Sequence, residues 1–196
     1  MKRLLHLIFA AVPAIQGCSN MKHVEWTEDV RLSSGQTIVV QRSEDYRRVV
    51  DSGAGFQEGW LFQSSRITAE LPPPVGRKVS WQGSLIPLVL DIQQGDAIFL
   101  VGYVATGAGQ DEWGTPRTEF YVPFRLVGDS WQRIPLAGLP LAVQPNLLGA
   151  SYILFIERNA RSGIHVDQRL KAEIASTPTL VPQIKSIVRI PKPAAK

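Results

Sequence analysis

From residue 24 to residue 136 the chain is organised by alternation of apolar and polar positions. Val24, Trp26, Val30 and Leu32 are interleaved with charged residues, and Ile38, Val39 and Val40 follow Ser34-Gly35. Period-two alternation across a glycine turn predicts a β-hairpin. Residues 44–59 then lose the pattern and carry Gly53, Gly55 and Gly59, which reads as a loop with a short strand. "WLFQSSRITAEL", residues 60–71, restores a strand, and Pro72, Pro73 and Pro74 close it. Consecutive prolines have no N–H to give a ladder and favour an extended connector.

The densest strand signal lies at residues 85–92 and 97–104, two apolar runs joined by Gln93-Gln94-Gly95-Asp96. Such runs predict neighbouring antiparallel strands buried on nearly both faces, with Val89, Leu90, Ile98, Leu100 and Val101 in the core. "EFYVPFRLV" and "SWQRIPL" flank Gly128-Asp129, favoured chemistry for a hairpin turn, and Pro123 marks an edge or a bulge. Residues 151–158 predict one more strand.

Downstream the period changes. Val166, Leu170 and Ile174 recur every four residues among Asp167, Arg169, Lys171 and Glu173, a helical stripe that Pro178 stops. Residues 184–190 hold a further strand candidate. No 20–50-residue repeat is present. The expectation is a single mainly-β domain, an antiparallel β-sandwich or curled meander sheet, with one C-terminal helix packed on it. Trp26, Trp60, Trp81 and Trp131 sit in or beside strand patterns and are assigned to the core.

The first residues follow a different logic. Lys2 and Arg3 precede an apolar stretch over residues 4–15, the layout of a secretory signal. It is shorter than the roughly twenty residues of a spanning helix, and it ends on Cys18, the single cysteine of the chain. Ile15-Gln16-Gly17-Cys18 resembles the lipobox of bacterial lipoproteins, an aliphatic, a variable and a small residue before an invariant cysteine. The resemblance implies a signal peptide over 1–17 and a diacylglycerol on the Cys18 thiol. It also implies outer-membrane sorting in the bacterial envelope, because Ser19 is not aspartate. Two or more acyl chains give stable attachment. The expected organisation is then signal 1–17, lipidated tether 18–23, mainly-β domain 24–190 and mobile tail 191–196. The mature part resembles uncharacterised proteobacterial lipoproteins, and no activity carries over from them.

Loss of the signal changes the charge reading. The whole chain carries 21 basic and 17 acidic residues, a net +4. Without Lys2 and Arg3, 19 basic residues face 17 acidic ones, a net +2. That excess is too small for a nucleic-acid footprint. No second cysteine remains for a disulfide, so the core alone must hold the fold.

Few catalytic motifs are present. There is no G-x-S-x-G elbow, no thiol or histidine pair for a zinc site, and no phosphate-cradling glycine loop; no cofactor is expected. His165, at the start of the helical segment, lacks the partners of a Ser-His-Asp site and reads as a surface residue. Residues 107–118 remain, a stretch without an apolar period that reads as a long loop between strong strands. Loops of that length are often functional. Trp113 and Arg117 belong to residue types enriched where binding energy concentrates, and Asp111 and Glu112 flank Trp113. The expected function is a membrane-anchored envelope module, non-enzymatic, that binds an envelope protein or glycan through this loop. The alternative is a periplasmic glycan hydrolase in which Asp111 or Glu112 works with Glu119, since glycoside hydrolysis needs two facing carboxylates.

Overall fold

The computed structural model of the chain describes residues 20–51, 57–93, 96–105, 107–116, 119–139, 145–159 and 163–176. The first sheet contains β1 (Met21–Arg31), β2 (Thr37–Asp51), β3 (Gln57–Glu70), β4 (Lys78–Gly83) and the short β9 (Ile164–Val166), in the order β4-β3-β2-β1-β9. The second contains β5 (Ile86–Gln93), β6 (Ala97–Tyr103), β7 (Tyr121–Val127) and β8 (Ser130–Arg133), in sequence order. All pairs are antiparallel except β1 with β9. The mainly-β expectation holds.

β1 and β2 form the expected hairpin, in register from Met21↔Arg47 to Arg31↔Thr37. Two boundaries differ from the sequence reading. β2 runs on to Asp51, paired with β3 throughout, where a loop with a short strand was expected, because charged residues at its inward positions, buried Glu44 and half-buried Arg48, hide the alternation. β1 starts at Met21, so residues 21–23 belong to the sheet and not to a tether. Lys22 bonds Glu157 at 2.6 Å and His23 bonds Asp45 at 2.7 Å.

In the second sheet Val89, Leu90, Ile98, Leu100 and Val101 are all buried, as expected. Gly102 is required by close approach: a Cβ there would stand 2.7 Å from the Leu85 Cβ. Pro123 lies in β7, between β6 and β8, yet it costs no ladder bond. Its carbonyl accepts from the Ile134 N–H at 3.0 Å, so its nitrogen also faces the side where β8 has ended at Arg133.

The two sheets share one core. Val30, Leu32, Val40 and Ile67 from the first meet Leu90, Leu100, Val122 and Phe124 from the second. This is the layered arrangement expected of a sandwich. Two of the four edge strands are covered. Asn146 acts as a one-residue strand beside β5, donating to the Leu90 carbonyl at 2.8 Å and accepting from its N–H at 3.1 Å. The free side of β4 is met by Trp131, whose indole donates to the Ser80 carbonyl at 2.7 Å.

Helices are where the sequence reading needs most correction. Residues 151–158 lie in α2 (Ala150–Asn159), not in a strand. A short apolar run fits either element by pattern alone, and here the packing decides. β1 and β2 have 11 and 15 residues, while the second sheet's strands have four to eight. Inner-face residues Val24, Trp26 and Tyr46 are covered instead by Tyr152 and Ile153 of α2, with Val166 and Ile174. α3 (Gln168–Ser176) is the expected C-terminal helix. Asp167 caps it, its carboxylate accepting from the Leu170 N–H at 2.7 Å, and Val166, first residue of the stripe, is on β9. The remaining helix, α1 (Gly107–Trp113), occupies the segment expected to be loop. Pro178, the strand candidate at 184–190 and the tail lie outside the described residues. Among the described residues no helix is long and apolar enough to cross a membrane.

Candidate functional site

Three groups of residues carry chemistry: α1, a groove beyond it, and a charge cluster inside the fold. α1 ends in a Schellman motif. Gly114 adopts φ +57°, Gly114 N–H donates to the Asp111 carbonyl at 3.2 Å, and Thr115 N–H donates to the Gln110 carbonyl at 2.9 Å. Buried Gln110 ties the returning chain with a bond to the Glu119 carbonyl at 3.2 Å.

Trp113 therefore sits at a helix end and is half-buried, not displayed in a loop. Its ring meets Phe124 edge-on at 5.5 Å and joins the shared core. Its Nε1 donates to the Ser84 Oγ at 2.9 Å, and Ser84 donates to the Glu112 carboxylate at 2.6 Å. The Trp113 carbonyl accepts from Arg133. Asp111 and Glu112 are exposed on the outer side of the helix. Arg117 and Cys18 lie outside the described residues.

The groove begins where β8 stops. It has a volume of about 530 Å³ and is lined by Glu119, Tyr121, Pro123, Arg133, Pro135 and Leu136, among others. Glu119 is the one carboxylate among the described lining residues. Asp111 and Glu112 do not line it, so the facing carboxylates required for glycan hydrolysis are not assembled there. Beside it the Tyr103 and Phe120 rings stack at 6.1 Å, and Tyr121 lies 6.1 Å from Tyr103.

The charge cluster was missed by the sequence reading. Glu28, Arg42 and Glu44 are buried on the inner face of β1 and β2. Arg42 lies opposite Trp26 in the ladder and 4.7 Å over its ring. It donates to Glu28 at 2.9 Å, to Glu44 at 3.1 Å and to the Leu148 carbonyl at 2.6 Å. Glu28 also accepts from the Leu148 N–H at 2.5 Å and pairs with Lys171 at 2.6 Å. Tyr46 donates to Glu44. Burial pushes the Glu28 carboxyl up, but Arg42 and Lys171 outweigh it and hold it below its ordinary value. At Glu44 burial prevails and the carboxyl is raised. A signal was present: Glu28 is in phase with Val24, Trp26 and Val30, and Arg42 and Glu44 with Ile38 and Val40. The arrangement clasps Leu148 and, through Lys171, α3 to the first sheet.

On the outer face of that sheet, His23 places one ring nitrogen 2.7 Å from Asp45 and the other 3.0 Å from Glu25. Asp45 first and Glu25 second raise its pKa. His165 is exposed, as expected, but on β9, 2.8 Å from the Thr27 hydroxyl. No group of three or more His, Cys, Asp or Glu among the described residues could hold a metal ion. No family model matches this chain, and no curated protein or solved structure matches it.

Proposed function

We propose that this chain is a lipid-anchored module of the bacterial cell envelope, sorted to the outer membrane, that binds another envelope component without chemistry of its own. The observation that carries the reading is the tetrad Ile15-Gln16-Gly17-Cys18 at the end of a signal-like segment. The start of the fold supports it. β1 begins at Met21, three residues after Cys18, and an extended chain spans about 3.5 Å per residue. An acylated Cys18 would therefore hold the end of the first sheet within about 10 Å of the anchor, with little freedom to swing. Such short tethering suits a module that meets its partner at the membrane surface.

Cys18→Ser tests the anchor. The variant is expected in the soluble fraction or as an unprocessed precursor, while the parent chain partitions into detergent and carries a lipid-sized mass increment on its mature N-terminus. A parent chain that partitions into the aqueous phase rules the reading out.

A further inference from the structure

We propose that the end of the first sheet next to Met21 is a membrane-docking surface, whose apolar and basic side chains settle into the phospholipid headgroup layer that holds the Cys18 acyl chains. The proposal rests on the lipid-anchor reading and deepens it. The anchor brings the fold to the bilayer, and the sheet end fixes how the fold stands there.

The geometry starts where the chain enters β1. The Arg48 N–H donates to the Asn20 carbonyl at 2.8 Å, so at Asn20 the chain still runs beside β2, on the side of the β2–β3 hairpin tip. That hairpin overshoots β1. Its pairing continues beyond Arg47, the partner of Met21, through four more residues to Asp51↔Gln57. At about 3.4 Å per residue the tip lies roughly 13 Å past Met21. Cys18, three residues before Met21, reaches at most about 10 Å from it. The hairpin thus extends as far as the anchor can, and a sheet standing on its anchor meets the lipid tip first.

The side chains at this end suit that boundary. Two cross-strand rows lie there, Met21–Arg47–Leu61 and Asn20–Arg48–Trp60. They face opposite sides of the sheet, and each sets an arginine beside an apolar side chain. Five large apolar side chains are exposed among the described residues, and two of them, Met21 at 49% and Val50 at 54%, are here. Val39, towards the Gly35 turn, and Val127, beside the Gly128 turn, stand far from this end. Half-buried Trp60 carries the Lys22 ammonium 5.5 Å from its ring. An indole, apolar in body and polar at one edge, fits where hydrocarbon meets water, and Arg and Lys bury their stems while their heads stay hydrated. Asp51 and Glu58 match Arg47 and Arg48 in number, so burial of apolar surface, not net charge, drives the contact.

The test uses the lipidated chain, purified from membranes and reconstituted in phosphatidylethanolamine–phosphatidylglycerol vesicles. Acylation blocks the single thiol, so Val50→Cys, Val39→Cys and Val127→Cys each take one nitroxide at an exposed position. Power-saturation EPR compares collisions with oxygen, which concentrates in lipid, against those with a water-soluble nickel chelate. The oxygen-to-nickel ratio at position 50 is expected to exceed that at 39 and 127 several-fold, and Met21→Cys should follow position 50, at unchanged melting temperature. An anchored chain whose ratio at position 50 equals that at 39 and 127 overturns the docking and leaves the anchor reading standing. A parent chain whose Cys18 itself takes the label removes the anchor reading, and the docking with it.

Discussion

Trp113 shows how one side chain changes the meaning of a segment. In sequence it stands between Glu112 and Gly114 and looks like a displayed recognition residue. In the fold its indole serves as a hinge pin between α1, the Ser84 corner and Phe124. Trp113→Ala should therefore destabilise the protein by about 3 kcal/mol, the lower end for tryptophan truncation in a core. Trp113→Phe should cost about 1 kcal/mol through loss of the bond to Ser84. Thermal denaturation of both variants checks this, and a Trp113→Ala melt equal to the parent's would return Trp113 to the surface. Binding through this helix is then probed at Asp111 and Glu112, which are exposed.

At the scale of elements, the sheet edges depend on residues remote in sequence. Asn146 is 56 positions from Leu90 and satisfies both of its backbone groups, while also donating to the Arg31 carbonyl at 3.0 Å. Removing the amide leaves a part-buried donor and acceptor of β5 without partners. Asn146→Ala should cost about 1–3 kcal/mol and speed hydrogen exchange at the Leu90 amide well beyond that of Leu100. Uniform exchange across β5 and β6 in the variant would show that the edge is held by other contacts. α2 teaches a related lesson. Its apolar run could be strand or helix, and the unequal strand lengths of the two sheets leave space that only a helix fills.

For the whole molecule, the cluster of Glu28, Arg42, Glu44 and Lys171 governs how the helical layer stays on the sheet. The two carboxyls act in opposite senses. Glu28, held below its ordinary value by Arg42 and Lys171 against the effect of burial, contributes stability that is full above its unfolded pKa of about 4.5 and lost as pH falls through its lower folded value. Glu44, raised by burial, weakens the folded state when charged, a penalty relieved as pH falls from its raised value towards the unfolded one. Glu28→Gln should thus cost about 3–5 kcal/mol at neutral pH, as breaking a buried pair does, and flatten the acid limb of the stability profile. Glu44→Gln should cost less and keep that limb. Denaturant titrations across the acid range measure both, and an unchanged acid limb in Glu28→Gln would remove it as the controlling group.

The residues alone determined the mainly-β class, the two hairpins at Gly35 and Gly128, the buried β5–β6 pair and the C-terminal helix. Each rests on local periodicity or turn chemistry, which a strand or helix expresses wherever it is placed. The tertiary structure decided the rest. The extent of β2 followed from its pairing with β3 as far as Asp51↔Gln57, and the burial of Arg42 followed from partners 14 and 106 positions away. The helical state of α2 followed from the space beneath the longer strands. The inward turn of Trp113 followed from a Schellman stop that sets the indole on Phe124. The groove exists only because β8 ends before β7 does, a difference in strand length that no window of sequence displays.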